Sequence, residues 1–419
     1  MLTYDQALAK VLDVCSRISP AVETVDLSNA AFRVLAEDLK APFDLPRFNN
    51  SAVDGFGVNV SDLLSASQAN PVTLSLMATV AAGTEAGASG ITGEAALPAG
   101  SCVKILTGAP VPETVEAVIM REYCQETDGQ VIVTCTTRIG ENIRLTGEEL
   151  EEGRVVLAPG TRLTPPAIGL AATVGASRVK CYRQPRIALV STGDELIEPG
   201  QSLLPSQIYN SNSYALSAAL TGLHINQESI TRYHCLDTEE SVKVTLSQAL
   251  ANCDVLITLG GVSVGDRDYV KSTLEQMDVR TVFWKASIKP GKPIYFGTMS
   301  DQKVIFGLPG NPVSALVTFH LFVKPALMLL QGTTSDAAPE VVTARLSNSL
   351  KKKAGRLDFV RAIVSRNKDG QVQAKPTTGQ DSHMLTGLTT ANALIHFEQE
   401  LEYRAEGDIV DVQFLNWSN

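Results

Sequence analysis

The stretch Asp254–Leu330 constrains this chain most, because twice within it a short apolar run stops at glycine and a helical pattern follows. Val255–Leu259 breaks at Gly260-Gly261, ahead of a helical pattern that begins near Asp266. Val304–Leu308 breaks at Pro309-Gly310, ahead of a long helix that starts at Asn311-Pro312. Asn is a strong N-cap, and Pro loses nothing at the first helical position because its N–H would be an orphan there. Helix starts offer unpaired N–H groups and partial positive charge, and glycine lets a ligand oxygen approach the backbone. Two such loops at the carboxyl ends of parallel strands form a crevice for an anion. Lys289 and Lys292, in IKPGKP, bring cations to the same region. Asp266 and Asp268 bring carboxylates, which beside an anion require a metal cation or a titrating substrate group between them. The pattern predicts a phosphorylated or oxyanionic ligand held with a divalent cation. Either loop by itself also fits an ordinary strand-to-helix turn.

A length of 419 residues implies several cores, roughly two to four domains. The net charge of −10, with no basic run longer than Lys351–Lys353, argues against nucleic acid as a partner. The first residues lack the basic and apolar regions of a signal peptide, and no run of about 18 uninterrupted apolar residues suggests a membrane span. Seven scattered cysteines without a CxxC pair read as reduced, mostly buried side chains of a cytoplasmic protein, and five scattered histidines make no metal pattern.

Taken in order, residues 3–19 and 28–40 read as two amphipathic helices capped by Thr3 and Ser28. A turn-rich loop then holds Asp54-Gly55, whose spacing fits a plain tight turn. Residues 71–150 contain short β-type runs (Val72–Met77, Cys102–Leu106, Ala117–Met120, Val131–Cys135) and predict a small β domain. From Arg186 the pattern alternates: a strand ending at Asp194 and Glu195, a helix from about Ser213, a β run near Ile225–Ile230 and a helix over 238–252. Such alternation predicts a parallel-type sheet covered on both faces. Asp237, three residues before Glu240, reads either as the N-cap of a capping box or as a ligand. The glycine spacing fits neither a P-loop nor a dinucleotide fingerprint. From 338 onward apolar and polar residues alternate, with a hairpin signal at Lys368-Asp369-Gly370. Arg356, Arg361, Ser382 and His383 are the polar candidates there, each of which also fits a surface role.

PRFNNSAVDGFGV, ILTGAPVP, RLTGEEL, LVSTGDEL, TLGGVSVGDRDYV, IKPGKP, GLPGNPVSAL, GRLDFVRA and GQDSHML occur in this order and cover nearly the whole chain. Together they resemble the MoeA family, the molybdopterin molybdenumtransferases, which includes the E domain of gephyrin. The resemblance implies a multidomain α/β plus β protein. A discontinuous helical and β linking domain (1–45 and 151–180) would carry an inserted β domain (46–150). A three-layer, molybdopterin-binding-like α/β domain (181–332) and a C-terminal β-barrel-like domain (338–419) would follow. It implies a homodimer whose clefts lie between subunits, with the molybdopterin adenylyltransferase and downstream molybdoenzyme maturation proteins as candidate partners. The implied reaction inserts molybdenum from molybdate into adenylated molybdopterin and releases AMP, with Mg2+ involved.

By that resemblance Asp54, Glu195, Asp237, Asp268, Lys289 and Lys292 match catalytic positions, and Glu195, Asp237 and Asp268 would hold the metal. Gly260, Gly261, Ser263 and Gly265 would face phosphate, and Pro309, Gly310, Asn311 and Pro312 would shape the nucleotide pocket. Thr107, Glu149, Arg356 and Ser382 match further cleft positions. Departures from the family pattern are Glu149 in place of Asp, Asp381 in place of Gly, the added Arg267, and Val53 and Phe56 in place of Met and Tyr. Besides molybdenum insertion, the motifs leave open adenylation of molybdopterin and a non-catalytic scaffold.

Overall fold

The computed structural model describes residues 1–83, 97–261, 269–333, 338–415 and 417. The chain divides into two compact units, one comprising Met1–Glu37, Pro159–Ile168 and Ser177–Asn419, the other Asp38–Ala158 and Gly169–Ala176.

In the first unit the helix Tyr4–Ser16 starts at a complete capping box: Thr3 Oγ1 accepts from Gln6 N–H and Gln6 Oε1 accepts from Thr3 N–H. Its apolar face, Ala7, Leu8, Val11 and Cys15, is buried, and Tyr4 packs edge-on against Phe322 and Phe359. The second helix expected over 28–40 does not form. Only a 3-10 turn, Leu27–Asn29, is present; Phe32 then adopts a φ of 62°, and the chain runs extended. Val34 and Leu35 bridge Arg162 and Cys181, partners more than a hundred residues away that local periodicity cannot reveal.

The α/β part is a six-stranded sheet among the described residues, ordered Ile230–Cys235, Ile187–Thr192, Val255–Leu259, Lys303–Leu308, Tyr295–Met299, Arg280–Trp284. The first four strands are parallel. Tyr295–Met299 runs antiparallel to both of its neighbours, because the connections from Trp284 to Tyr295 and from Met299 to Lys303 are too brief for a crossover. Side chains alternate between two cores: Ile187, Leu189 and Ile257 on one face, Ala188, Val190 and Leu256 on the other. The strand expected near Ile225–Ile230 lies later, at Ile230–Cys235; Ile225 instead plugs the core, and the true edge strand is mostly polar. Asp237 is not a helix cap: Thr238 caps Glu239–Asn252 by accepting from Ser241 N–H.

The long helix runs Pro312–Thr318, a π turn Phe319–Val323, and Lys324–Leu330. Its length and mean hydropathy of 1.8 would suit a membrane span, yet 78% of it is buried as the core helix of the unit. The C-terminal region closes into a barrel of five strands among the described residues: Leu357–Arg366, Val372–Pro376, Val341–Leu346, Ile409–Phe414 and Ala393–Phe397, which pairs back with the first. The expected turn at Lys368-Asp369-Gly370 joins the first two.

The second unit holds a mixed sheet of Ala117–Met120, Gly55–Val58, Ser101–Ile105, Val72–Val80, Gln130–Val133 and Cys124–Thr127. Both faces are buried, one around Phe56, Leu74 and Val131, the other around Val80, Ile105 and Val118.

Candidate functional site

The carboxyl ends of three adjacent parallel strands converge at Thr192, Gly260-Gly261 and Pro309-Gly310, and they wall a cavity of about 620 Å³. Gly260 N–H donates to Leu308 O at 3.0 Å, so the two glycine loops are fastened to each other. Gly260 and Gly261 have φ of 89° and 67°, and a Cβ on Gly261 would lie 2.3 Å from Val270 Cγ2. Glycine is required there by conformation and by packing. Ser263, Gly265 and Asp268, with Asp266 and Arg267, lie outside the described residues.

The second loop is built differently. Asn311 occupies the N-cap position of the core helix, but its side chain does not cap. Its amide instead donates to Ser382 Oγ at 3.0 Å, and the orphan N–H of Val313 donates to Ser382 O at 3.2 Å. The helix start is thus satisfied by a loop of the barrel. His383 of that loop also lines the cavity. The loop is held from below by Arg361, which is 1% exposed and donates to the carbonyls of Gly379 and Asp381. Gln380 locks it further by exchanging hydrogen bonds with the Arg361 backbone. Arg361 is therefore a buried fastening, not a surface cation, and burial pushes its pKa down. Arg356 is half-buried, and its carbonyl accepts from the Lys352 ammonium. Asp381 is not at positive φ, so replacing glycine there carries no backbone strain.

Glu195 lines the cavity and folds back on Gly193, where a Cβ would meet Glu195 Oε2 at 2.5 Å. Asp237 N–H donates to Asp194 Oδ1 at 3.0 Å, tying the end of the edge strand to the same loop. Among the described residues no group of three or more His, Cys, Asp or Glu side chains could hold a metal ion. Glu195 and Thr192, both oxygen donors, line the cavity, whereas Asp237 is not among its lining residues. Sequence reasoning missed Asn210 and Asn212. Asn210 is 5% exposed and caps Ser211–Gly222, and Asn212 Nδ2 donates to Gly310 O at 2.6 Å. An Asn just ahead of a helical run was the available signal for Asn210.

Lys289 lies 3.4 Å from Asp358 of the barrel, and Lys292 is exposed. A second cavity of about 310 Å³, beside Leu316, Phe319 and Lys324, is almost wholly apolar and lacks the convergent polar groups of the first.

In the second unit Asp54 and Thr107, singled out separately in the sequence, meet. Asp54 Oδ1 accepts from both the N–H and the hydroxyl of Thr107, each at 2.7 Å. These bonds, with Arg121 nearby, hold the Asp54 carboxyl below the usual range. Asp54-Gly55 is not a tight turn: Gly55 begins a central strand, and a Cβ there would lie 2.0 Å from the Ile119 carbonyl oxygen. A polar cavity of about 200 Å³ beside Asp54 is walled by Lys104, Arg121 and Glu126. Glu149 is exposed, whereas its neighbour Glu148 is used locally, accepting from Leu145 N–H.

Residues 2–175 match the MoeA N-terminal region (domain I and II), residues 188–329 a probable molybdopterin binding domain, and residues 343–415 the MoeA C-terminal region (domain IV). The chain is 38% identical over 417 residues to a molybdopterin molybdenumtransferase of Haemophilus influenzae, covering 99% of each chain. The chain belongs to the MoeA family. A molybdopterin molybdenumtransferase of Bacillus subtilis is 34% identical, covering 89% of this chain and 85% of that one. The crystal structure of a MoeA protein from Pyrococcus horikoshii shares the MoeA fold with a TM-score of 0.79 and 28% identity, over 99% of this chain and 100% of that one.

Proposed function

We propose that this chain is a molybdopterin molybdenumtransferase, which takes adenylated molybdopterin and molybdate, places molybdenum in the dithiolene and releases AMP. The observation that carries this reading is the 620 Å³ cavity where Thr192, Gly260-Gly261 and Pro309–Pro312 meet at the strand ends. Gly261, with its positive φ and no side chain, lets phosphate oxygens approach the backbone. Lys289 and Lys292 supply positive charge for molybdate, as point charges that need no fixed fork geometry. Asp54, held ionised by Thr107, presents a fixed carboxylate to the pterin end. Glu195 and Asp237, with Asp268, would hold Mg2+, which when bound neutralises the pyrophosphate and stabilises charge on the departing AMP. The reading includes a homodimer in which Asp54 serves the cavity of the other subunit.

Ligand-dependent stabilisation tests it against a scaffold role. AMP with magnesium at a hundredfold excess over its Kd should stabilise the chain by about 2.7 kcal/mol, and molybdate should act likewise. A melting temperature indifferent to both ligands would overturn the reading.

A further inference from the structure

Lys289 leaves the α/β sheet on a two-residue strand, Ile288–Lys289, that hydrogen-bonds to the barrel. Its register partner there is Asp358, and Ile288 pairs with Leu357. The junction is reinforced by Leu357 N–H donating to Ser287 O and by Ser287 Oγ donating to Gly355 O. The barrel therefore sets where Lys289 stands.

The charges at this junction do not cancel. Asp358 is 7% exposed, with Oδ2 3.4 Å from the Lys289 ammonium and Oδ1 4.0 Å from the Lys352 ammonium. The Lys352 side chain is 4% exposed, donates to the Arg356 carbonyl and lies over the Phe397 ring. It cannot swing away from Asp358. Half of the Lys289 side chain remains in solvent. Within ion-pair distance one buried carboxylate thus serves two ammonium groups, one buried and one facing outward, an excess of one positive charge among these three side chains, while Glu398 and Glu400 act on Lys352 from beyond that distance.

We propose that Asp358 is a positioning residue that anchors Lys289 for a tetrahedral oxyanion, and that Lys352 keeps this anchor from neutralising it. The proposal rests on Lys289 being the oxyanion contact of the function proposed above. Two effects of Asp358 have opposite signs. As a mere counter-charge it would weaken anion binding, so its removal would tighten it. As an anchor it holds the lysine in place, so its removal weakens binding although the site becomes more positive.

The full-length chain is titrated with molybdate and assayed for turnover, with AMP binding and melting temperature followed in parallel. Lys289→Ala tests the underlying reading: unchanged molybdate affinity would remove Lys289 from the site, and the proposal with it. With Lys289→Ala weakened, Asp358→Asn should raise the half-saturating molybdate concentration about tenfold, the scale of a lost charge-assisted bond, with AMP affinity unchanged. Asp358→Glu should recover part of the loss, and Lys352→Met should also weaken molybdate binding because the surplus charge is gone. Tighter or unchanged molybdate binding in Asp358→Asn overturns the proposal. Should that variant not fold, Lys352→Met decides it, and unchanged molybdate affinity there overturns it equally.

Discussion

The two glycine loops look alike in the sequence, a strand ending in glycine before a helix, yet the structure uses them for different purposes. At Gly260-Gly261 both residues sit at positive φ and pack against Thr192 and Val270, so glycine is demanded by the backbone. At Pro309-Gly310 the glycine is not at positive φ, and the nearest atom to a Cβ on it would be Gly260 Cα at 3.8 Å. That loop is a landing place: Asn311 and Val313 receive Ser382 of the barrel, and Gly310 O receives Asn212. A free helix N-terminus inferred from sequence is free only until a neighbouring domain is placed against it.

The largest effect that would break this contrast is at the glycines themselves. Gly261→Ala should cost about 3 kcal/mol in denaturant unfolding, from the left-handed backbone and the clash with Val270. Gly310→Ala should stay within about 0.5 kcal/mol of the parent. Equal costs would remove the distinction between the loops.

The second effect is on pH dependence. His320, on the π turn of the helix that the second loop starts, is fully buried against Gln413 of the barrel, with its pKa pushed down to about 3 by burial and by the charges of Lys324 and His396. Neutral in the fold and ordinary when unfolded, it leaves stability intact above about pH 6.5 and erodes it as pH falls from there, by up to about 1.4 kcal/mol per pH unit. His320→Gln should flatten that slope in unfolding midpoints measured between pH 4 and 7. An unchanged slope would show that other groups carry it.

Smaller still, Asn311→Ala should cost about 1 kcal/mol through the lost bond to Ser382. It should quicken amide exchange at Val313 without changing Gly261. The smallest effect concerns the second unit: Thr107→Val removes one of two bonds to Asp54, so the Asp54 carboxyl should titrate at higher pH in carbon-detected NMR. An unmoved titration would leave the backbone N–H and Arg121 as what holds it low.

What was legible in the sequence was what a single strand, turn or helix decides for itself. The Thr3 cap, the strands at Val255–Leu259 and Ala117–Met120 and the hairpin after Arg366 all follow from local pattern. Asp54 and Thr107 were legible as residues but not as a pair, since 53 positions separate them. Residues 28–40 misled because Phe32 turns the chain with positive φ and its extended partners come from near Arg162 and Cys181. Asp237 was one residue off the true cap, Thr238, because both side chains can accept from a helix N–H. Arg361 and Asp358 look like ordinary charged residues of an alternating strand, and only their burial, at 1% and 7% exposure, separates them from the surface.

The central claim is that this chain releases AMP from adenylated molybdopterin as molybdenum goes in. The most direct test incubates the purified chain with adenylated molybdopterin, magnesium and micromolar molybdate, and follows AMP release and transfer of active cofactor to an apo-enzyme. The account predicts AMP release that requires molybdate, yields active cofactor and is abolished in Asp54→Ala with the fold intact. Adenylated substrate that stays bound and uncleaved in the presence of molybdate would contradict it.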